Sequence, residues 1–273
     1  MPEGPEIHRV ANQLADVLVD QGPCEVRVLY PPAAHAEQIL QGRRVTSVTS
    51  HGKALLIHFE EGQTLYSHNQ LYGIWQITEP RAAMLPNRRL RVELATNPAT
   101  ARLYSATDIE LWDTAALRCH PFLSKLGPDI LNPELNVPSL NARFQRPRFA
   151  KRSLQSLFLD QTFVAGLGNY LRSEILFEAR LHPATKLGQL NPEARRKLAR
   201  ASLNLAARSR MHQGITRPIQ EAKRAMRLGV DYEDARFWVF DREALPCYTC
   251  GTVIERLTAA GRRLYLCPLC QSQ

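Results

Sequence analysis

With 273 residues, 44% of them hydrophobic and 22% charged, the chain has the length for one large domain or two smaller ones, and its composition excludes a disordered segment. The net charge of +9 is uneven: residues 1–130 hold 12 Lys and Arg against 14 Asp and Glu, whereas residues 131–273 hold 23 against 12. A basic half of this kind is the footprint of a polyanion-binding face, most often for nucleic acid. No apolar run approaches the roughly 18 residues of a membrane span, and the acidic opening lacks the pattern of a secretory signal, so the expected location is cytoplasmic.

The chain opens MPEGPEIHRV. Ile7, Val10, Ala11, Leu14 and Leu18 recur at helical spacing, which predicts a leading helix with Gly4 as N-cap and Pro5 at its first position. Removal of Met1 would leave Pro2 as the terminus beside the carboxylate of Glu3. An α-amino group with a pKa of about 7.7–8.0 is roughly a tenth unprotonated at pH 7, against far less for a lysine. A secondary amine attacking a carbonyl-like carbon gives a permanently charged iminium. A stiff, acidic helix lead-in is the plainer reading of the same residues.

From residue 25 to about 106 the texture is β-rich: EVRVLY, RRVTSVTS, ALLIHF, TLYSH, YGIWQI, RLRVEL and ARLYSA alternate with Gly- and Pro-containing turns. This pattern predicts an antiparallel sandwich. Lys53 follows Gly52 in a hairpin turn, where a lysine is usually solvated. In SHNQLYGIW, Gln70, Leu71 and Tyr72 fall at a strand connection. A polar reader, an apolar wedge and a flat stacker suit entry into a duplex, although core packing would equally occupy Leu71 and Tyr72. The proline-rich segment HPFLSKLGPDILNPELNVPS reads as a linker, with a boundary near residue 135.

Beyond it the patterns are helical. Leu154, Leu157 and Phe158 mark one helix, Leu171, Ile175 and Ala179 the next, and a charged helix runs from about Pro192 to His212. Gly166 and Gly168 separate the first two, so a helix-turn-helix hairpin with free backbone N–H groups could meet a phosphate. Asn169 would then contact that ligand, cap its own helix, or both. The segment from Thr216 to Trp238 has weak periodicity. Asp129, Asp160 and Glu174 are lesser site candidates that capping or buried roles would also explain. Cys247, Cys250, Cys267 and Cys270 form two CxxC pairs sixteen residues apart, the spacing of one closed structural Zn2+ site, while Cys24 and Cys119 stand alone. The metal would hold a hairpin presenting Arg262 and Arg263.

Taken together, MPEGPE, HGKALL, SHNQLYG, GLGNYLRSEIL and the terminal four-cysteine segment resemble, over essentially the whole chain, the bacterial DNA glycosylase/AP-lyase family of formamidopyrimidine-DNA glycosylase and endonuclease VIII. SHNQLYGIW and GNYLRSEIL are closer to the branch that removes oxidised pyrimidines. The resemblance implies an α+β fold. A β-sandwich catalytic domain (1–134) with a leading helix is followed by a helical domain (135–237) with a helix-two-turns-helix motif and a zinc finger (238–273). It further implies Pro2 as Schiff-base nucleophile, Glu3 as proton donor, and Lys53 and Arg262 as catalytic residues for elimination. Gln70, Leu71, Tyr72, Lys125 and Asn169 would contact DNA. At Lys125 similar proteins often carry arginine, and at Pro218 a glycine, so phosphate contact and base recognition are expected to differ there. The implied partner is damaged double-stranded DNA, bound by a monomeric bacterial protein without membrane attachment and nucleoid-associated when on DNA. The alternatives are the oxidised-purine branch and a non-catalytic zinc-containing DNA-binding protein.

Overall fold

A computed structural model of the chain describes residues 2–259 and 261–272; Met1, Ala260 and Gln273, and with them the expected processing of Met1 and part of the finger's loop, lie outside the described residues. The chain divides into two compact units, residues 1–125 and 126–273.

In the first unit, α1 (Gly4–Leu18) is followed by β1 (Glu25–Val28), α2 (His35–Leu40), β2 (Val45–His51), β3 (Ala54–Phe59), β4 (Gln63–His68), β5 (Ile74–Thr78), β6 (Leu90–Ala95), β7 (Thr100–Tyr104) and β8 (Asp108–Asp113). The strands form two antiparallel sheets, in the orders β1-β6-β7-β5 and β2-β3-β4-β8. Strand side chains alternate between faces. Val26, Val28, Val92, Leu94 and Leu103 of one sheet therefore meet Leu55, Ile57, Phe59 and Leu65 of the other, with Ile7, Ala11, Leu14 and Leu18 of α1 in the same core. The other face of β3 is covered too: Ala54 and Leu56 join Tyr66 beneath Leu117, Phe122 and Leu123. Hence ALLIHF is a continuous apolar run. The N-cap of α1 is Glu3, one residue ahead of the expected Gly4, because the Glu3 and Glu6 carboxylates form a reciprocal capping box that glycine cannot supply.

The second unit contains α3 (Val137–Phe144), α4 (Pro147–Ala150), α5 (Leu154–Leu157), α6 (Asn169–Ala179), α7 (Pro192–Met211), α8 (Ile219–Arg227), α9 (Tyr232–Arg236) and the hairpin β9 (Glu255–Ala259) and β10 (Arg262–Leu266). Its core interlocks Phe144, Phe149, Phe158 and Phe163 with Leu171, Ile175, Leu198 and Leu205, and Leu264 and Leu266 of the hairpin sink into the same cluster. The hairpin thus shares the core of the helical unit. The division between the units falls at Lys125–Leu126, ahead of the boundary expected near residue 135. Residues 127–130 already bond within the second unit, Gly127 N–H donating to Gln161 O at 2.8 Å and Ile130 N–H to Ala165 O at 3.1 Å.

Helix α6 is buried from Tyr170 to Phe177, including Arg172 and Glu174. Glu174 accepts from the backbone N–H groups of Trp238, Val239 and Phe240 at 2.8–2.9 Å and from the Thr216 hydroxyl at 2.5 Å. Burial raises its carboxyl pKa, and those four donors oppose the rise. In Glu174→Gln an amide NH2 would face N–H donors. The change is expected to cost about 2 kcal/mol, read as a lower urea midpoint at unchanged slope; a wild-type midpoint would remove this carboxylate from the account of the fold.

Candidate functional site

The first unit's site is assembled at the chain terminus. Pro2 is half-buried and Glu3 is 2% exposed. The backbone N–H of Glu3 donates to Glu6 Oε2 at 2.9 Å, and Arg9 holds the other Glu6 oxygen at 3.1 Å. A segment that would ordinarily fray is therefore fixed at the positive end of α1, where carboxylates are stabilised.

Lys53 sits in a two-residue hairpin, with His51 paired to Ala54 and Gly52 at a φ of +61°. A left-handed first turn residue matches strand twist and favours glycine. The Lys53 side chain is 7% exposed, not a solvated turn charge. Its neighbourhood includes His68, whose imidazole pKa is lowered first by burial and also by the Lys53 charge, against an opposing pull from Asp108. His68 Nδ1 accepts from the Gln70 N–H at 3.0 Å, which places the ring proton on Nε2. The sequence reading passed over His68, although it lies within SHNQLYG. Its ring meets Phe122 edge-on at 5.6 Å, just ahead of the turn that ends in exposed Lys125.

The next loop carries Gln70, Leu71 and Tyr72. Gly73 N–H closes onto Asn69 O at 2.7 Å, and a Cβ at Gly73 would lie 2.5 Å from that oxygen. Only glycine allows this closure. Gln70 adopts a φ of +50°, its Oε1 accepts from the Thr107 hydroxyl at 2.8 Å, and Tyr72 O accepts from Arg88 at 2.8 Å. On this tied loop Leu71 is 58% and Tyr72 70% exposed. The core-packing alternative for them does not hold.

In the second unit, α6 is capped by Gly168 without a side-chain bond, so Asn169 does not cap its own helix. Instead Asn169 Oδ1 accepts from Arg172 at 3.4 Å. The wholly buried Arg172 guanidinium also donates to Gln155 O at 2.9 Å, Ala259 O at 3.4 Å and Arg263 O at 2.8 Å. One buried cation thus fixes Asn169 and the turn end of the β9–β10 hairpin together, while both hairpin arginines remain exposed. Arg172 carries no signal of its own in the sequence, where the neighbouring Asn169, Ser173 and Glu174 make it read as one more polar helix residue. The lesser candidates have structural tasks. Asp129 accepts from Leu131 N–H at 2.8 Å. Asp160 bonds Arg152 and the Thr162 N–H; burial opposes its ionisation, but these bonds outweigh it and hold the carboxyl below its usual range.

The four cysteine Sγ atoms lie within 4.8 Å of one another, with Cys250–Cys267 at 3.4 Å and Cys247–Cys270 at 4.0 Å. Tetrahedral zinc with bonds near 2.3 Å sets sulfur atoms about 3.8 Å apart, so the set fits. Backbone N–H groups of Thr249 and Cys270 point at Cys247 and Cys267 Sγ, each at 3.4 Å. Four protein ligands leave no open position, so the site closes the knuckles around a structural metal.

Pro2 held beside a buried carboxylate, a buried lysine, two exposed apolar side chains on a tied loop and a glycine-capped helix start with arginines are the groups of an enzyme that works on nucleic acid. Sequence profiles agree: residues 1–113 match the formamidopyrimidine-DNA glycosylase N-terminal domain, 126–223 its H2TH domain, and 244–273 a zinc finger found in FPG and IleRS. The chain is 41% identical over 271 residues to Endonuclease 8 of Enterobacter sp. (strain 638) and, likewise, to that of Escherichia coli (strain K12 / DH10B), covering 99% of this chain and all of each relative. Its fold is that of Lactococcus lactis Fpg. The TM-score is 0.82 at 21% identity, over all of both chains, for the complex with oxidised-pyrimidine-containing DNA. It is 0.82 at 20% identity, over 99% and 100% of the chains, for the complex with abasic-site DNA. The chain belongs to the formamidopyrimidine-DNA glycosylase/endonuclease VIII family and is a DNA glycosylase with AP-lyase activity.

Because Leu71 and Tyr72 are exposed, the double change to alanine is expected to alter stability by no more than about 0.5 kcal/mol. Excision from duplexes should nevertheless fall well below cleavage of single-stranded abasic DNA, since only a duplex leaves a hole to fill. Thermal melting of the same variant separates the two effects; a depressed Tm with proportionate losses on both substrates would return these side chains to a packing role.

Proposed function

We propose that the enzyme removes oxidised pyrimidines from duplex DNA and cleaves the resulting abasic site by successive β- and δ-elimination, with Pro2 as the nucleophile. The observation that carries this reading is the terminus itself, half-buried Pro2 followed by a 2%-exposed carboxylate in a helix-capping turn. The pyrimidine assignment rests on the SHNQLYGIW and GNYLRSEIL resemblance and on the full-length likeness to the Endonuclease 8 proteins. The protein acts as a cytoplasmic monomer, associated with the nucleoid when bound to DNA, with one structural zinc ion and no membrane attachment. Among the described residues no helix is long and apolar enough to cross a membrane.

The chemistry follows from these groups. A stacked base cannot be reached, so the duplex is bent, the nucleotide extruded, and the gap filled by Gln70, Leu71 and Tyr72. Once Met1 is removed, the Pro2 nitrogen lone pair attacks C1′, the glycosidic bond breaks, and its electrons leave with the base as Glu3 supplies a proton. The C1′–O4′ bond then breaks to give an iminium on Pro2, the proton lost from the secondary amine passing to O4′. That cation acidifies a C2′ proton, whose loss expels the 3′ phosphate; a second elimination expels the 5′ phosphate. Lys53 and Arg262 stabilise the departing phosphates, Arg262 through its forked donors, and Lys125 and Asn169 contact DNA. The zinc supplies no chemistry to these steps and holds the Arg262 hairpin.

The test is borohydride trapping on duplexes that each carry one lesion. Covalent capture should be faster on oxidised-pyrimidine than on oxidised-purine duplexes and should disappear when the N-terminus is extended, with DNA binding largely kept. Efficient trapping by a blocked terminus would refute Pro2 as nucleophile, and faster trapping on purine lesions would move the enzyme to the other branch.

Arg262→Ala is expected to weaken binding and to accumulate the β-elimination product relative to the δ-product on a preformed abasic site. Gel analysis of the 3′ ends measures the ratio. A wild-type ratio in this variant together with an altered one in Arg263→Ala would transfer the role to Arg263.

A further inference from the structure

Helix α8 has little to hold it in place. It is nine residues long and buries only Ala222 among its side chains, and isolated helices of that length are marginal. Its Lys223, Arg224 and Arg227 are all exposed. What fixes it lies immediately upstream. Arg217 is 5% exposed, donates to Ala235 O at 3.1 Å, and lies with its guanidinium carbon 3.7 Å from the centre of the Tyr248 ring. Arg242, 3% exposed, lies 3.6 Å from the same centre and donates to Trp238 O and Pro246 O at 2.8 and 2.9 Å. Two planar cations that close to one ring centre cannot share a face, so they sandwich it.

Desolvated guanidinium groups on an aromatic face make strong cation–π contacts. The Tyr248 hydroxyl adds a third attachment, donating to Asp234 O at 3.2 Å. Tyr248 itself stands between Cys247 and Cys250 in the first knuckle, where the cysteine geometry dictates its place. Glu221 reaches Arg217 at 3.6 Å but is half-exposed, and the Trp238 ring centre lies 5.1 Å from the guanidinium carbon, so the Tyr248 ring at 3.7 Å is the nearest aromatic partner of the buried charge.

We propose that Tyr248 is a positioning residue that clamps the segment 216–242 to the knuckle, and that the α8 cations held in this way bind DNA backbone phosphates. The knuckle therefore has two tasks, the Arg262 hairpin on one side and α8 on the other. The phosphate half of this proposal rests on the glycosylase reading; the clamp does not.

The experiment uses full-length Tyr248→Leu, Tyr248→Phe and Arg217→Met proteins, with zinc content measured in each. Trypsin is applied without DNA, and because Arg217 precedes proline the informative cuts follow Lys223, Arg224 and Arg227. In Tyr248→Leu and in Arg217→Met these cuts should accelerate on the order of tenfold. Tyr248→Phe, which keeps the stack, should remain near wild type. For binding to a duplex with an abasic-site analogue, the slope of log affinity against log salt should fall by about one to three in the first two variants. Zinc-loaded Tyr248→Leu with wild-type cleavage would overturn the clamp. So would wild-type cleavage in Arg217→Met, which settles the matter if Tyr248→Leu loses its metal. Faster cleavage with an unchanged salt slope would overturn the phosphate contact alone. Borohydride trapping by the wild-type protein reports separately on the glycosylase reading.

Discussion

Helix α6 buries two opposite charges two residues apart, and the second unit is arranged around them. Residues at that spacing leave a helix in different directions. Arg172 therefore reaches the carbonyl groups of the β9–β10 hairpin and Glu174 the backbone N–H groups of Trp238, Val239 and Phe240. An unmatched charge in such a place would cost several kcal/mol. The chain must bring specific backbone groups to specific points, which apolar packing alone would not require. Two distant segments are registered against one helix, and with them the Asn169 end of α6 and the strand that carries Arg262.

The first unit solves a related problem with smaller means. Glu3, Lys53, Leu71 and Tyr72 stand at loop tips or near a chain end, the places where order is weakest. Each is tied by local bonds to a strand or helix that is not free to move. The capping box fixes Glu3, the left-handed Gly52 folds Lys53 inward, and the Asn69–Gly73 closure throws Leu71 and Tyr72 outward. His68 joins two of these, since it ends β4, feels the Lys53 charge and receives the Gln70 N–H. Side chains carried on a loop that is already ordered lose little entropy on meeting a ligand.

Much of this was legible in the residues themselves. Helical spacing of apolar residues marked α1, α6 and α7, and short β-rich runs broken by turns marked the sandwich strands from Glu25 to Tyr104. The four cysteines were legible for a different reason, since ligand spacing is itself the geometry. The short elements were not. Three residues separate β8 from β7, and β8 buries Ile109 in the main core with Leu111 only partly buried against it. Helix α3 hides in a proline-rich stretch that reads as a linker, although Asn136 and Ser139 cap it reciprocally. For α8 and α9 the stabilising contacts come from residues far along the chain, which local pattern cannot show.

The hardest residues to read were those whose task depends on partners brought by the fold. Nothing in GNYLRSEIL distinguishes Arg172 from a solvent-facing helix arginine, or Glu174 from its ordinary salt-bridge partner. Both become informative only when the backbone groups they satisfy are known. The converse holds for Leu71 and Tyr72, whose apolar character in sequence pointed equally to core and to wedge. There exposure removes the core reading, and exposure is imposed by a glycine that permits a turn no other residue could close. Sequence thus names the chemistry available at a position, while the main-chain hydrogen bonds around it decide whether that chemistry is aimed at the protein interior or at a ligand.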